Sequence, residues 1–380
     1  MTQIPHVKKK IGDTHLIWFQ NSNNFTQLEE PAWLVFRNTL KGSESEMIAK
    51  LLSSRYDISF SESLDFVTEI RRMIEQMNKS ETEEISGEYS AETTEYTFKP
   101  YSVHNYLIGN KFILFSFQSS HYENYLHPLI AHFKTKEKHL ESSLFELFEK
   151  GGRTIFRFNH EVKGTWTIDE SHLVKGRIFM HLLNVMYDRM DADWLMTVHA
   201  SAITNGRKTI LFSAAPGSGK TTIAALLQAK GFHLISDDFV PIDQQTFCAY
   251  PFPIAMSVKP GSLEVLASYY PTLEQKPLQF INPEKSVRYL PLTLNSELES
   301  LIHPVQDFVV IQYDQLTDFT FEKLDPLDAV AYLLDQAWVS PSKENAAILF
   351  DRLLKTNFYK LTYSNTERAL EAITNLFDHD

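Results

Sequence analysis

The sequence predicts an α/β protein built around a strand, a glycine-rich loop and a helix, with a smaller α+β unit in front. Three observations predict it. The apolar run Thr209–Ser213 leads into Ala214-Ala215-Pro216-Gly217-Ser218-Gly219-Lys220-Thr221-Thr222 and then into strong helix formers over 223–230. A second apolar run ends in the acid pair Asp237-Asp238. Upstream, amphipathic periodicity stops at 81–97, a stretch dense in glutamate and free of basic residues.

Composition sets the bounds. The chain has 380 residues, 43% of them hydrophobic and 22% charged, values of a globular protein rather than a disordered one. Its length fits two or three domains. The net charge of −12 argues against a nucleic-acid partner, which usually meets a basic excess. One cysteine, Cys248, excludes an intrachain disulfide and fits a reducing compartment. No apolar run approaches the ~20 residues that span a bilayer. The polar start of the chain has no signal-peptide core, so a cytoplasmic protein without a membrane partner is expected.

From the N-terminus, Thr14–Phe19 reads as a strand with 25–28 as its hairpin partner, and three helices follow. The first covers Glu30–Leu40 with Trp33, Phe36 and Leu40 on one face, and Gly42 ends it. The second begins at Ser43, where Ser43-x-x-Glu46 is a capping box, and buries Met47, Ile48, Leu51 and Leu52. The third follows a second box, Ser59-x-x-Glu62, and buries Leu64, Val67, Ile70, Ile74 and Met77. Segment 81–97 cannot bury enough surface to offset its ordering entropy and is expected to be an acidic linker. The expected division is therefore 1–80, linker 81–97, and 98–380. In the last part Lys111–Phe117, 154–158, 165–168, 308–313 and 358–363 read as strands. Segments 176–190, 327–338, 344–354 and 367–377 read as helices, an alternation typical of α/β architecture.

A hairpin and three helices, with Trp33 in the first helix and Gly42 after it, resembles the PqqD-like fold. That small winged-helix domain recognises the leader of ribosomally made peptides. The resemblance covers about residues 10–78 and rests on diffuse apolar patterns. A winged-helix unit serving packing or dimerisation has the same pattern. A DNA-binding role is weakened by Glu62, Asp65, Glu69 and Glu75 beside Arg71 and Arg72.

The loop 214–222 has the residues that phosphate binding requires. Gly217 and Gly219 let the backbone turn and approach phosphate oxygens. Amides at the start of the helix point positive ends at an anion. Lys220 supplies a mobile charge for β- and γ-phosphates, and the Thr221 hydroxyl can enter a Mg²⁺ shell. Pro216, Ser218 and Thr222 complete the nucleotide loop. Ala214 stands where the usual motif begins with glycine. Asp237 lies 17 residues after Lys220. On a strand beside the loop strand, one acid can hold Mg²⁺ and the other can take a proton from an attacking hydroxyl. His199, ahead of the loop strand, is a third candidate.

Together His199-Ala200, Ala214 to Thr221, Lys230-Gly231 and Leu234 to Asp238 resemble the HPr kinase/phosphorylase family and its serine-kinase relatives. The match is dense over about 196–242 and thinner over 98–380. The resemblance implies a P-loop kinase domain of the HPr kinase/phosphoenolpyruvate carboxykinase type. It implies transfer of the γ-phosphate of ATP, or another nucleoside triphosphate, with Mg²⁺, to a serine hydroxyl. Carried over by position, Lys220 and Thr221 bind nucleotide and metal, Asp237 is the metal-side carboxylate and Asp238 the base, with those two roles open to exchange. His199 sits near the transferred phosphate. The family's glycine-rich phosphorylase signature is missing, which puts phosphorolysis in doubt. Related kinases assemble into rings, so self-association is allowed. Lys259 and Arg288 are further candidates to stabilise charge on the transferring phosphoryl group. Joined, the two halves suggest a leader-guided serine kinase acting on a precursor peptide or small protein. The alternatives are a kinase of a carrier protein or small-molecule hydroxyl, and a nucleotide-binding regulatory protein.

Overall fold

In a computed structural model, residues 4–79, 96–167, 170–282, 285–293 and 298–378 are described. Apart from 96–97, the expected linker lies outside them, as does residue 168 of the expected strand 165–168. The chain forms two compact units, Met1–Glu83 with Pro326–Lys355, and Glu84–Asp325 with Thr356–Asp380. The expected single domain over 98–380 thus gives up a helix, a short strand and a second helix to the first unit.

The first unit opens with an antiparallel sheet in the order His6–Ile11, Thr14–Phe19, Phe25–Glu29. The first of these strands has no strong apolar pattern and was not expected. Thr14–Phe19 lies between two partners and buries five consecutive residues, which explains its unbroken apolar run. Pro31 opens the helix Glu30–Leu40, where a missing N–H costs nothing. The helix Phe60–Asn78 starts on the expected box: Glu62 N donates to Ser59 Oγ at 3.2 Å and Ser59 N to Glu62 Oε2 at 3.0 Å. The box expected at Ser43 does not form. That helix runs Ser45–Tyr56 from a Glu44 cap, and the Arg71 guanidinium takes the Ser43 carbonyl and the Ser45 hydroxyl. Its buried stripe is Ile48, Ala49 and Leu52, leaving Met47 and Leu51 exposed. The segment Pro326–Lys355 joins this unit through contacts that include an ion pair between Lys9 Nζ and Asp351 Oδ1 at 2.6 Å. Asn23 Nδ2 donates to the Val339 carbonyl at 2.7 Å and Gln27 Nε2 to that of Leu327 at 2.9 Å. Phe25 meets Phe350 edge-on at 6.0 Å.

The second unit carries two main sheets. One runs Lys134–Thr135, Ser102–Ile108, Lys111–Phe117, Ser143–Lys150, Arg153–Phe158, Glu161–Trp166. Phe115, Phe145 and Phe156 stack along it, and the helix Ser171–Tyr187 covers them with Ile178 and Leu182. The other sheet holds the loop strand. Around that strand the order is His233–Asp237, Ser201–Thr204, Thr209–Ser213, His303–Tyr313, Asn357–Tyr363, Phe319–Lys323, and His303–Tyr313 also pairs at its start with Cys248–Ala249. The acid-bearing strand was expected beside the loop strand, and it is not. Ser201–Thr204 lies between them, antiparallel to both. Two strands antiparallel to the same neighbour run parallel to each other. Their C-terminal ends, one leading into the loop and one ending at Asp237, consequently meet at one edge of the sheet.

Candidate active site

The loop leaves the buried strand Thr209–Ser213 and feeds the helix Lys220–Ala229. Gly217 and Gly219 have φ of +93° and +90°, a region open to glycine and strained for other residues. A Cβ on Gly219 would fall 2.8 Å from the Tyr363 hydroxyl. Ser218 and Tyr313 fix the bend, the Tyr313 amide donating to the Ser218 carbonyl at 3.1 Å. Ala214 is buried and has no positive φ, so alanine in place of the usual glycine meets no backbone conflict. Gly219 caps the helix without a side-chain bond, which leaves the first helical amides facing the cavity.

Lys220 is buried and reaches across to both acids. Its ammonium donates to Asp237 Oδ1 at 3.2 Å and, more closely, to Asp238 Oδ1. Asp237 is 1% exposed and also accepts from the Ser201 hydroxyl and from Thr221 Oγ1 at 3.3 Å. Asp238 is 37% exposed and opens to the cavity. It sits at φ +67°, an unusual conformation for a side-chain-bearing residue. The Ser236 hydroxyl holds that turn by donating to the Phe239 carbonyl. His199 Nδ1 lies 3.1 Å from the Asp238 carbonyl, and its Nε2 is 3.8 Å from Asp238 Oδ1.

The charges are coupled. Burial alone would depress the Lys220 pKa, but the two carboxylates more than reverse this and it stands above the usual lysine value. Burial alone would raise Asp238, but Lys220 and then His199 outweigh it and hold the carboxyl below its usual range. Burial lifts Asp237 above that range, and the charge on Asp238 adds to the rise.

A cavity of about 170 Å³ lies over the loop. Lys259 and Lys285 line it along with Asp238, and the Thr222 hydroxyl is bonded to Ser262 at 2.6 Å on its wall. The Lys259 ammonium is 4.0 Å from the point where a Gly217 Cβ would stand. The structure thus brings together Lys220, Thr221, Asp237, Asp238, His199 and Lys259. It does not bring Arg288, whose Nε donates to the Glu274 and Lys276 carbonyls at 3.2 and 3.1 Å. Both Lys285 and Arg288 lie on the strand Lys285–Leu290, and an odd spacing sends them to opposite faces. Lys285 and Ser201 were missed because a lone lysine or serine carries no local signal.

The donor set fits a magnesium ion. Thr221 Oγ1 and Asp237 Oδ2 are hard oxygens 3.3 Å apart, close to the ~3 Å between adjacent ligands of an octahedral Mg²⁺.

No protein-family model and no curated protein matches the sequence. Among solved structures, the Hpr(Ser) kinase/phosphatase from Coxiella burnetii is similar over 47% of this chain and 88% of that chain, with 12% identity and a TM-score of 0.21. Among the described residues no helix is long and apolar enough to cross a membrane.

Proposed function

We propose that the protein is a kinase that moves the γ-phosphate of ATP, or a related triphosphate, onto an alcohol, with a serine of a ribosomally made precursor peptide as acceptor. One observation carries the transfer chemistry: a buried lysine under a glycine-bent loop, bridging two carboxylates that differ in exposure. The loop amides and Lys220 hold the β- and γ-phosphates. Lys259 and Lys285 face the same space and offset charge on the transferring group. Thr221 and Asp237 would hold Mg²⁺, which supplies further charge neutralisation on the phosphate oxygens.

Asp238 is the base in this scheme. Lys220 donates to it and neutralises it. Phosphates drawing Lys220 toward themselves would free the carboxylate to accept the acceptor's proton as the oxygen attacks phosphorus. His199 orients Asp238 through the backbone carbonyl. Its exposure supports Asp238, rather than sealed Asp237, as the residue that meets an incoming hydroxyl.

A feature of the first unit supports a peptide acceptor. The strand Phe25–Glu29 pairs on one side only among the described residues. A cavity of about 440 Å³ lies against it, lined by Phe25, Gln27, Leu334, Trp338 and Phe350. A strand edge beside an apolar cleft suits an extended segment with anchoring side chains. Incubation with Mg-ATP and serine peptides encoded beside the gene tests the reading by a mass gain of about 80 Da. Nucleotide binding with no transfer to any peptide would favour a regulatory protein.

A further inference from the structure

Away from the loop, His104, Glu123 and His127 converge in the second unit. His104 lies on the strand Ser102–Ile108. Glu123 and His127 are four residues apart on the helix Ser120–Ile130 and share one face of it. His104 Nε2 is 2.5 Å from Glu123 Oε1. The His104 and His127 rings stack at 4.4 Å. The three ligating atoms lie within 4.8 Å of one another, each side chain half-buried.

The surroundings supply what ligands alone do not. His127 Nδ1 is 2.6 Å from the buried Tyr106 hydroxyl. A partner on the far ring nitrogen fixes the ring and selects which nitrogen is left to coordinate. Two imidazoles and one carboxylate form a borderline set, suited to Zn²⁺ and Co²⁺ and poorly matched to Mg²⁺ or Ca²⁺, which favour oxygen. Neighbouring ligands of a tetrahedral ion stand roughly 3.4 Å apart. The His104–Glu123 separation is shorter than that value and none of the three exceeds 4.8 Å, so an ion would enter by parting His104 from Glu123. None of the three residues borders the loop cavity.

We propose that His104, Glu123 and His127 form a second metal site, for a divalent ion of the zinc class, which clips the strand Ser102–Ile108 to the helix Ser120–Ile130. The ion takes the place of the proton between His104 and Glu123, and that proton leaves to solvent. A fourth position stays open to water.

The test titrates the untagged, chelator-stripped full chain with Zn²⁺, and with Co²⁺ as a visible probe, without nucleotide. About one ion per chain should bind, with the strong visible bands of four-coordinate Co²⁺, bleached by Zn²⁺. His127→Ala and Glu123→Gln should each weaken Zn²⁺ at least tenfold, while Asp237→Asn leaves it unchanged. If His127→Ala does not fold, the nearly isosteric His104→Gln and Glu123→Gln provide the same readout. Absence of tight binding would overturn the proposal. So would affinity unmoved in both glutamine variants, or affinity lost only in Asp237→Asn.

Discussion

Replacing Lys220 with methionine keeps the stem and removes the charge that holds Asp237 and Asp238 together. Asp237 is 1% exposed, so it would be left as an uncompensated buried anion beside a second one. Breaking a buried pair by removing one partner costs about 3–5 kcal/mol. The structure sets a ceiling, because the carboxyl can escape by binding a proton. At pH 7, for an ordinary aspartate, that escape costs about 4 kcal/mol. Asp238, 37% exposed, lowers the demand further, so Lys220→Met should destabilise the fold by roughly 3 kcal/mol in urea unfolding at pH 7. The sign of the pH dependence follows. In the variant the native Asp237 pKa lies above its unfolded value, so the native state holds the extra proton. The destabilisation is then full above that raised pKa and fades as the pH falls toward 4. The double variant Lys220→Met/Asp237→Asn should recover most of the lost stability and none of the phosphoryl transfer. Equal stability of Lys220→Met and wild type at pH 7, or no recovery in the double variant, would refute this electrostatic account of the site.

Other outcomes follow from the same geometry. Gly219→Ala adds a left-handed strain of about 1–2 kcal/mol and a contact 2.8 Å from the Tyr363 hydroxyl. Nucleotide affinity by calorimetry should drop at least tenfold, and Tyr363→Phe in the same chain should restore part of it. Lys259→Ala should lower kcat for transfer by about 10²-fold, whereas Arg288→Ala, away from the cavity, should leave kcat unchanged and reduce only stability. Burial pushes His181 down to about 4 from the usual 6.5, although its Nδ1 meets the Arg177 carbonyl at 3.0 Å. Its native state therefore resists protonation, and stability should fall as the pH drops from 6.5 toward 4, by up to about 3 kcal/mol. His181→Gln should flatten that part of a pH-stability profile.

The loop and the acid pair were legible because their chemistry needs neighbouring residues. Gly217, Gly219, Lys220 and Thr221 act within one turn, and Asp237-Asp238 ends one strand. What the sequence hid depends on strand order and on alternation. Ser201 reaches Asp237 only because an antiparallel strand lies between the two parallel ones. Lys285 and Arg288 look alike in sequence, yet their odd spacing places only one at the cavity. Periodicity found the helices after residue 326 but cannot say which core they join. Asn23, Phe25 and Gln27, some three hundred positions earlier, decide that. The Ser43 box did not form either, and a residue of another helix, Arg71, takes the Ser43 carbonyl and the Ser45 hydroxyl there.

The most direct test is transfer of a γ-labelled phosphate. Purified full chain, Mg²⁺, γ-labelled ATP and a serine-bearing precursor peptide are incubated, and the peptide is analysed by mass spectrometry. Label should appear as phosphoserine with the wild type and fall by two or more orders of magnitude with Asp238→Asn, while that variant still binds nucleotide. Transfer by Asp238→Asn at the wild-type rate, or nucleotide bound tightly with its γ-phosphate passed to no hydroxyl, would contradict the assignment.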